Sequence, residues 1–205
     1  INLFKLMTNK NIYPFYLTDK DIKALNSIKI FEEIKKKNID YSRIVVKKPW
    51  GYEYLFFSNK NIAITILSIN KNESTSLHCH PNKTTSLYVL DGKIKFQSLN
   101  KKILLTTGQS TFIDKSVFHK STSIQENTFL MEIETPVNKQ DLIRLEDNYG
   151  REGKGYEKED SYTFNTNNYN YLSFNSSKSD HNRKKVFGKS SLNLRSINKS
   201  NYNKN

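Results

Sequence analysis

The sequence is short of the residues that mark disulfide-bonded, membrane-spanning and glycine-loop proteins. It holds one cysteine, Cys79. No disulfide can close within the chain, which fits a reducing compartment such as the cytoplasm. No apolar run approaches the ~18 residues of a membrane-spanning helix. The opening stretch INLFKLMTNKNIYPF has neither a long apolar segment nor the small-residue cleavage site of a secretory leader. The chain opens on Ile1, and Met7 is a candidate start. Glycine and proline are scarce, at 7 and 4 residues, and no dinucleotide-fold or phosphate-loop glycine pattern occurs.

Acidic residues are also under-represented, and the net charge is +13. Residues 1–43 carry +4, residues 44–150 carry +3 and residues 151–205 carry +6. Most of the excess therefore lies in the flanks, where solvated lysine explains it. Nothing resembling an RNP motif, a zinc knuckle or a helix-turn-helix is present, so a nucleic-acid partner is not expected.

What is present divides the 205 residues into three parts. Residues 1–43 form an extension with a helix over about 19–37. Thr18 suits its N-cap, Asp19 and Asp21 its first turn, and Lys35, Lys36 and Lys37 its far end. Ile22, Leu25, Ile28, Ile30, Phe31 and Ile34 recur at near-helical spacing and should pack on a core or a partner subunit. Residues 44–156 change to a period of two. Runs such as YEYLFFS, IAITILSI, SLYVLDG and TFLMEIE are separated by turns, the pattern of an all-β sandwich or barrel. Residues 157–205 are rich in Asn, Ser and Lys, a composition expected to leave a mostly disordered tail holding a solvated His181.

Two of the four histidines stand one residue apart in TSLHCHPNKTTSLYVLDG. Residues two apart on a strand share a face. His78 and His80 therefore aim together, and His119 can begin a neighbouring strand. Three nitrogen ligands suit one divalent Zn, Fe, Mn, Ni or Co ion with positions left for substrate. The alternative is a hydrogen-bonded pair with no metal. Cys79 would face the other way as a packed thiol.

HCHPNKTTSLYVLDG followed by GQSTFIDKSVFH resembles the two motifs of the cupin superfamily, the RmlC-like jelly rolls. His78, His80, Gly92, Gly108 and His119 fall on the motif positions. Thr85 stands where the motif carries a glutamate ligand, and Asp114 and Ser116 replace its proline and glycine. VVKKPWGYEYLF before the barrel and MEIETPVNKQDLIRLEDNYGR after it are similar to the C-terminal cupin domain of type II mannose-6-phosphate isomerases, the bifunctional isomerase/guanylyltransferases. The likeness covers about residues 46–151. Pro49, Trp50, Gly51, Asp141, Arg144, Asp147, Tyr149, Gly150 and Arg151 match, with Lys48 at an arginine position. His78 stands where that family's site has a glutamine.

The resemblance implies a double-stranded β-helix with a metal on His78, His80 and His119. It implies an isomerase acting on a sugar phosphate or nucleotide sugar in carbohydrate or polysaccharide synthesis. Arg144 would stabilise an oxyanion or hold phosphate, Lys48 and Arg151 are further phosphate ligands, and Trp50 plugs the barrel end or stacks on the sugar. Glu134 and Glu53 are the carboxylates to test as base. Two other readings stand beside this one. A sugar-binding cupin without turnover is favoured by Thr85, and a three-histidine iron dioxygenase by the absence of a carboxylate ligand. Cupins commonly pair, so a homodimer is expected.

Overall fold

A computed structural model describes residues 11–28, 39–135, 137–174 and 182–195. The period-two runs form strands, numbered here in chain order. The larger sheet runs edge to edge through β1 (Ile12–Phe15), β9 (Ser110–Ile113), β6 (Thr84–Asp91), β11 (Thr128–Thr135), β4 (Ala63–Ile69), β3 (Gly51–Ser58), β2 (Val45–Lys48) and β13 (Tyr162–Thr163). The smaller runs through β12 (Ile143–Glu146), β5 (Leu77–Cys79), β10 (His119–Ser123), β7 (Lys93–Ser98) and β8 (Lys102–Thr106). A hairpin, β14 (Arg183–Phe187) and β15 (Ser190–Leu194), stands apart. Within the two large sheets β1–β9 is a parallel pair and the other pairs are antiparallel. This is the sandwich that the strand pattern predicts, and it has the cupin jelly-roll form that the motif resemblance implies.

Alternation decides what fills the space between the sheets. Leu67 and Ile69 of β4, Leu87 and Val89 of β6, Leu130 of β11 and Ile113 of β9 meet Ile94 and Phe96 of β7 and Leu105 of β8. Each such buried side chain contributes about 1.5–3 kcal/mol. The polar end of the same interior is the site described below.

Both outer faces are covered, which explains why β4 reads as an almost unbroken apolar run. On the smaller sheet, Leu77 and Cys79 lie with Phe118 beneath Ala24, Leu25 and Ile28. Ala24 and Leu25 belong to α1 (Asp19–Ser27), whose N-terminus is a capping box of Thr18 and Asp21. Asp21 is buried and also accepts the Phe118 N–H at 2.9 Å, tying the helix to the strand that follows. The helix is shorter than the sequence spacing predicts. The chain turns extended at Ile28, and Ile22 faces solvent. Ile30, Phe31, Ile34 and the three lysines lie outside the described residues.

The larger sheet's outer face is covered by the segment expected to lack order. Phe187, fully buried, packs with Val45, Tyr54, Ile66, Leu90 and Phe129, and Tyr169 and Tyr171 join them. Residues 157–174 and 182–195 thus have a place on the barrel, because their scattered aromatics find an apolar sheet face. The rest of that segment, His181 included, lies outside the described residues.

Candidate metal centre

Strand register builds the site. His119 of β10 is the cross-strand partner of His78 of β5, and His78 is in turn the partner of Arg144 of β12. Directly paired residues share a face. One row across the smaller sheet therefore reads Arg144, His78, His119, all turned inward. His80, two residues beyond His78, joins the same face. The three rings lie with centroids 4.4 to 5.3 Å apart, and their ligand nitrogens fall within 4.8 Å of one another.

The second nitrogen of each ring fixes what the first can do. Nδ1 of His78 faces the Ser76 carbonyl at 2.8 Å, Nδ1 of His80 the Asp141 carbonyl at 2.6 Å, and Nδ1 of His119 the Val117 carbonyl at 3.0 Å. A carbonyl only accepts, so each Nδ1 carries the proton and each Nε2 offers a lone pair. Nε2 of His80 is buried with no hydrogen-bond partner. Burial pushes all three imidazoles below their ordinary range, His119 to about 4, and Lys83 adds to the shift at each. Neutral rings with one orphaned buried nitrogen fit a divalent metal.

The loop before His119 is held in a costly shape. Ser116, in place of the motif glycine, keeps a left-handed φ of 63° and donates its N–H to the His80 carbonyl at 2.9 Å. That bond fixes the spacing between two ligands. Gly92 keeps the φ of 101° that its position needs, and a Cβ there would meet Thr128 at 2.5 Å. Thr85 is buried, and its hydroxyl has no hydrogen-bond partner.

Facing the histidines, the larger sheet presents charge. Glu134, fully buried, pairs with Lys83 and lies 3.9 Å from Lys139. Glu53 lies 3.5 Å from Lys48 and 3.6 Å from Lys139, and accepts the Tyr156 hydroxyl. Burial alone would raise the Glu53 pKa, but Lys48, Lys139 and Tyr156 outweigh it and hold it at about 2. The same contest lowers Glu134, where Lys139 and Lys83 prevail over burial. Both carboxylates proposed as base are therefore in the pocket and locked as anions.

Lys48, Arg144 and Arg151 also converge, on Glu157. Its carboxylate pairs with Lys48, lies 2.6 Å from Arg151 Nη1 and 3.4 Å from Arg144 Nη2. Arg144 Nη1 donates to the Lys154 and Gly155 carbonyls, both at 2.7 Å. Trp50 is buried in the inter-sheet core and lines the pocket as well.

Residues 35–147 match the family described as mannose-6-phosphate isomerase C-terminal, which is more than half of the chain. The chain belongs to that family. Among solved structures, an RmlC-like cupin from Shewanella frigidimarina aligns at 16% identity over 48% of this chain and 80% of its own, with a TM-score of 0.41. A putative sugar phosphate isomerase from Acidithiobacillus ferrooxidans aligns at 17% over 47% and 67%, also with a TM-score of 0.41. KdgF from Halomonas sp. aligns at 11% over 44% and 84%, with a TM-score of 0.43. No curated protein matches the chain. The match to the mannose-6-phosphate isomerase C-terminal family includes the three histidines and Arg144, and ends before Arg151, Tyr156 and Glu157.

Lys83, Glu132, Lys139, Tyr156 and Glu157 line the pocket without having been singled out in the sequence. Glu132 and Glu134 did leave a signal. They stand two apart in MEIET, so both turn inward where apolar residues are the rule. Glu157 left none, because it falls in a polar segment whose path over the barrel no local pattern sets.

Proposed function

We propose that the chain is a metal-dependent isomerase of a sugar phosphate, serving carbohydrate or polysaccharide synthesis. The observation that carries this reading is the inward row of Arg144, His78 and His119, with three Nε2 atoms freed by carbonyl-bound Nδ1 atoms, opposite a buried set of lysines and glutamates. His78, His80 and His119 would hold the metal, which supplies polarisation of the sugar oxygens when bound. Arg144 lies beside His78 in the row and stabilises the charge that develops on the enediolate oxygen. A phosphoryl group takes the place of the Glu157 carboxylate among Lys48, Arg144 and Arg151, an exchange of one anion for another. Trp50 closes the inner end of the cavity. A nucleotide sugar as substrate, a homodimer and a cytoplasmic setting belong to the same reading.

The test is metal content together with exchange of the C2 proton for deuterium, followed by NMR on a panel of sugar phosphates that includes mannose 6-phosphate. The wild-type chain should bind one metal per molecule and exchange at least one of them. His80→Ala should lose both properties. Full metal content in His80→Ala would refute the site. Among the described residues the ligand group contains no carboxylate, and this favours a second reading, a three-histidine iron dioxygenase. Oxygen uptake by the Fe(II)-loaded chain without C2 exchange would select it. Metal and sugar binding with neither reaction would select a binding cupin.

A further inference from the structure

Four glutamates line the pocket: Glu53, Glu132, Glu134 and Glu157. Three of them are engaged by lysine or arginine at 3.9 Å or less. Glu132 is different. It stands on β11 opposite Thr65 of β4 and Leu87 of β6, so neither flanking strand offers it a cation at its own level. Among the described residues no hydrogen bond or ion pair holds its carboxylate, and it is not part of the three-histidine group. It is a carboxylate in the reaction chamber with no structural partner to satisfy.

Its surroundings agree. Burial raises the Glu132 carboxyl above the ordinary carboxylate range, and Glu134 on its own strand and Glu53 on β3 raise it further. Lys139 and Lys83, from the loops above, pull the other way and are outweighed, since each is already matched with Glu134. Two groups of like chemistry in one cavity are thereby separated in role. Glu53 and Glu134 keep their charge, while Glu132 can gain and lose a proton nearer to neutrality.

We propose that Glu132 is the catalytic residue that carries the proton between C1 and C2 of the sugar. This rests on the isomerase reading above. The carboxylate removes the C2 proton; the electron pair of the C–H bond becomes the C1=C2 bond, and the C1 carbonyl oxygen takes the negative charge. The carboxylic acid then returns its proton to C1. The C2 hydroxyl proton passes to O1, and the C2 oxygen becomes the carbonyl. No oxidant or other reactant is needed.

The test uses the full chain, metal-loaded, with mannose 6-phosphate and the other sugar phosphates in D2O. Glu132→Gln should lower kcat by about 10²–10⁴-fold, with KM little changed and metal content equal to wild type. Glu132→Asp, which keeps the carboxylate on a shorter stem, should fall between the two. The wild-type kcat/KM profile should show an acid limb above the ordinary carboxylate range, absent in Glu132→Gln. In the unreacted wild-type protein, ¹³C NMR should show the Glu132 carboxyl titrating in that same raised range. Wild-type exchange rates in Glu132→Gln, or an ordinary or depressed Glu132 titration, would overturn the proposal and leave the isomerase reading standing. A wild-type chain that exchanges no sugar phosphate would bring down both.

Discussion

Glu53 and Glu132 are the same residue type, placed in one pocket on adjoining parts of one sheet, yet their environments push them in opposite directions. The difference is how closely ammonium groups approach: Lys139 acts on both, but only Glu53 is in ion-pair contact with its lysines. Glu53 has Lys48 at 3.5 Å and Lys139 at 3.6 Å, and its pKa of about 2 lies below the ordinary value. The folded state therefore binds the proton more weakly than the unfolded chain. The stability this carboxylate contributes is complete above about pH 4.5 and is lost as pH falls toward 2. Glu53→Gln should flatten that part of the stability profile. At neutral pH it should cost about 3–5 kcal/mol, because the buried Lys48 and Lys139 ammonium groups are left with one carboxylate partner fewer. Urea unfolding across pH 2 to 7 measures both effects. A slope unchanged by the substitution would show that another carboxylate carries it. The Ser116 backbone supplies a second residue-scale point. A serine held at positive φ, where the related motif uses glycine, shows that the His80–His119 spacing is maintained at a cost in backbone energy.

At the scale of elements, the segment from Arg151 to Tyr162 matters most to the site. It leaves β12, crosses the pocket mouth and ends as an edge strand paired with β2. On the way it sets Tyr156 against Glu53 and Glu157 against Lys48, Arg144 and Arg151. The chain thus supplies its own anion at the cationic subsite, and any phosphoryl group must compete with it. Glu157→Gln should tighten binding of inorganic phosphate on the order of tenfold, if the carboxylate fills the subsite about nine-tenths of the time. Isothermal titration calorimetry reads this directly. Unchanged affinity would mean that phosphate binds elsewhere. The sequence shows the two kinds of element unequally. The histidine strand is legible because same-face geometry follows from a spacing of two, and His119 follows from the motif spacing. The crossing segment is not legible, because Glu157 owes its place to ion pairs with Lys48 and Arg144, which stand 109 and 13 residues away. Lys83 and Lys139 escape notice for the same reason: a lysine in a polar loop looks solvated until its glutamate partner on another strand is known.

For the molecule as a whole, a β-sandwich or barrel was readable from period two, and its jelly-roll form from the resemblance of the histidine motifs to those of cupins. The covering of its outer face was not, although β4 carried a hint of it. A strand with water on one side should alternate, and IAITILSI scarcely does, because Ile66 needs an apolar neighbour outside the barrel as much as Leu67 does inside. The neighbour is Phe187, at 0% exposure. Phe187→Ala should destabilise the protein by about 3–5 kcal/mol, measured by urea unfolding, and should leave metal content untouched, since the histidines sit on the opposite sheet. A loss much below 1 kcal/mol would mean that the hairpin contributes little to the barrel's stability. The edges of the larger sheet carry a different consequence, one of timing. Ile12 on the edge strand β1 pairs with Ser110, so that strand waits for about a hundred residues of chain before its partner exists, whereas β13 at the other edge docks on β2, which is already paired with β3. Closing loops of that length precedes any reward from pairing. During synthesis β1 must therefore stay unpaired while most of the barrel is still being made, and refolding should be slow, on the millisecond-to-second scale of non-local β proteins.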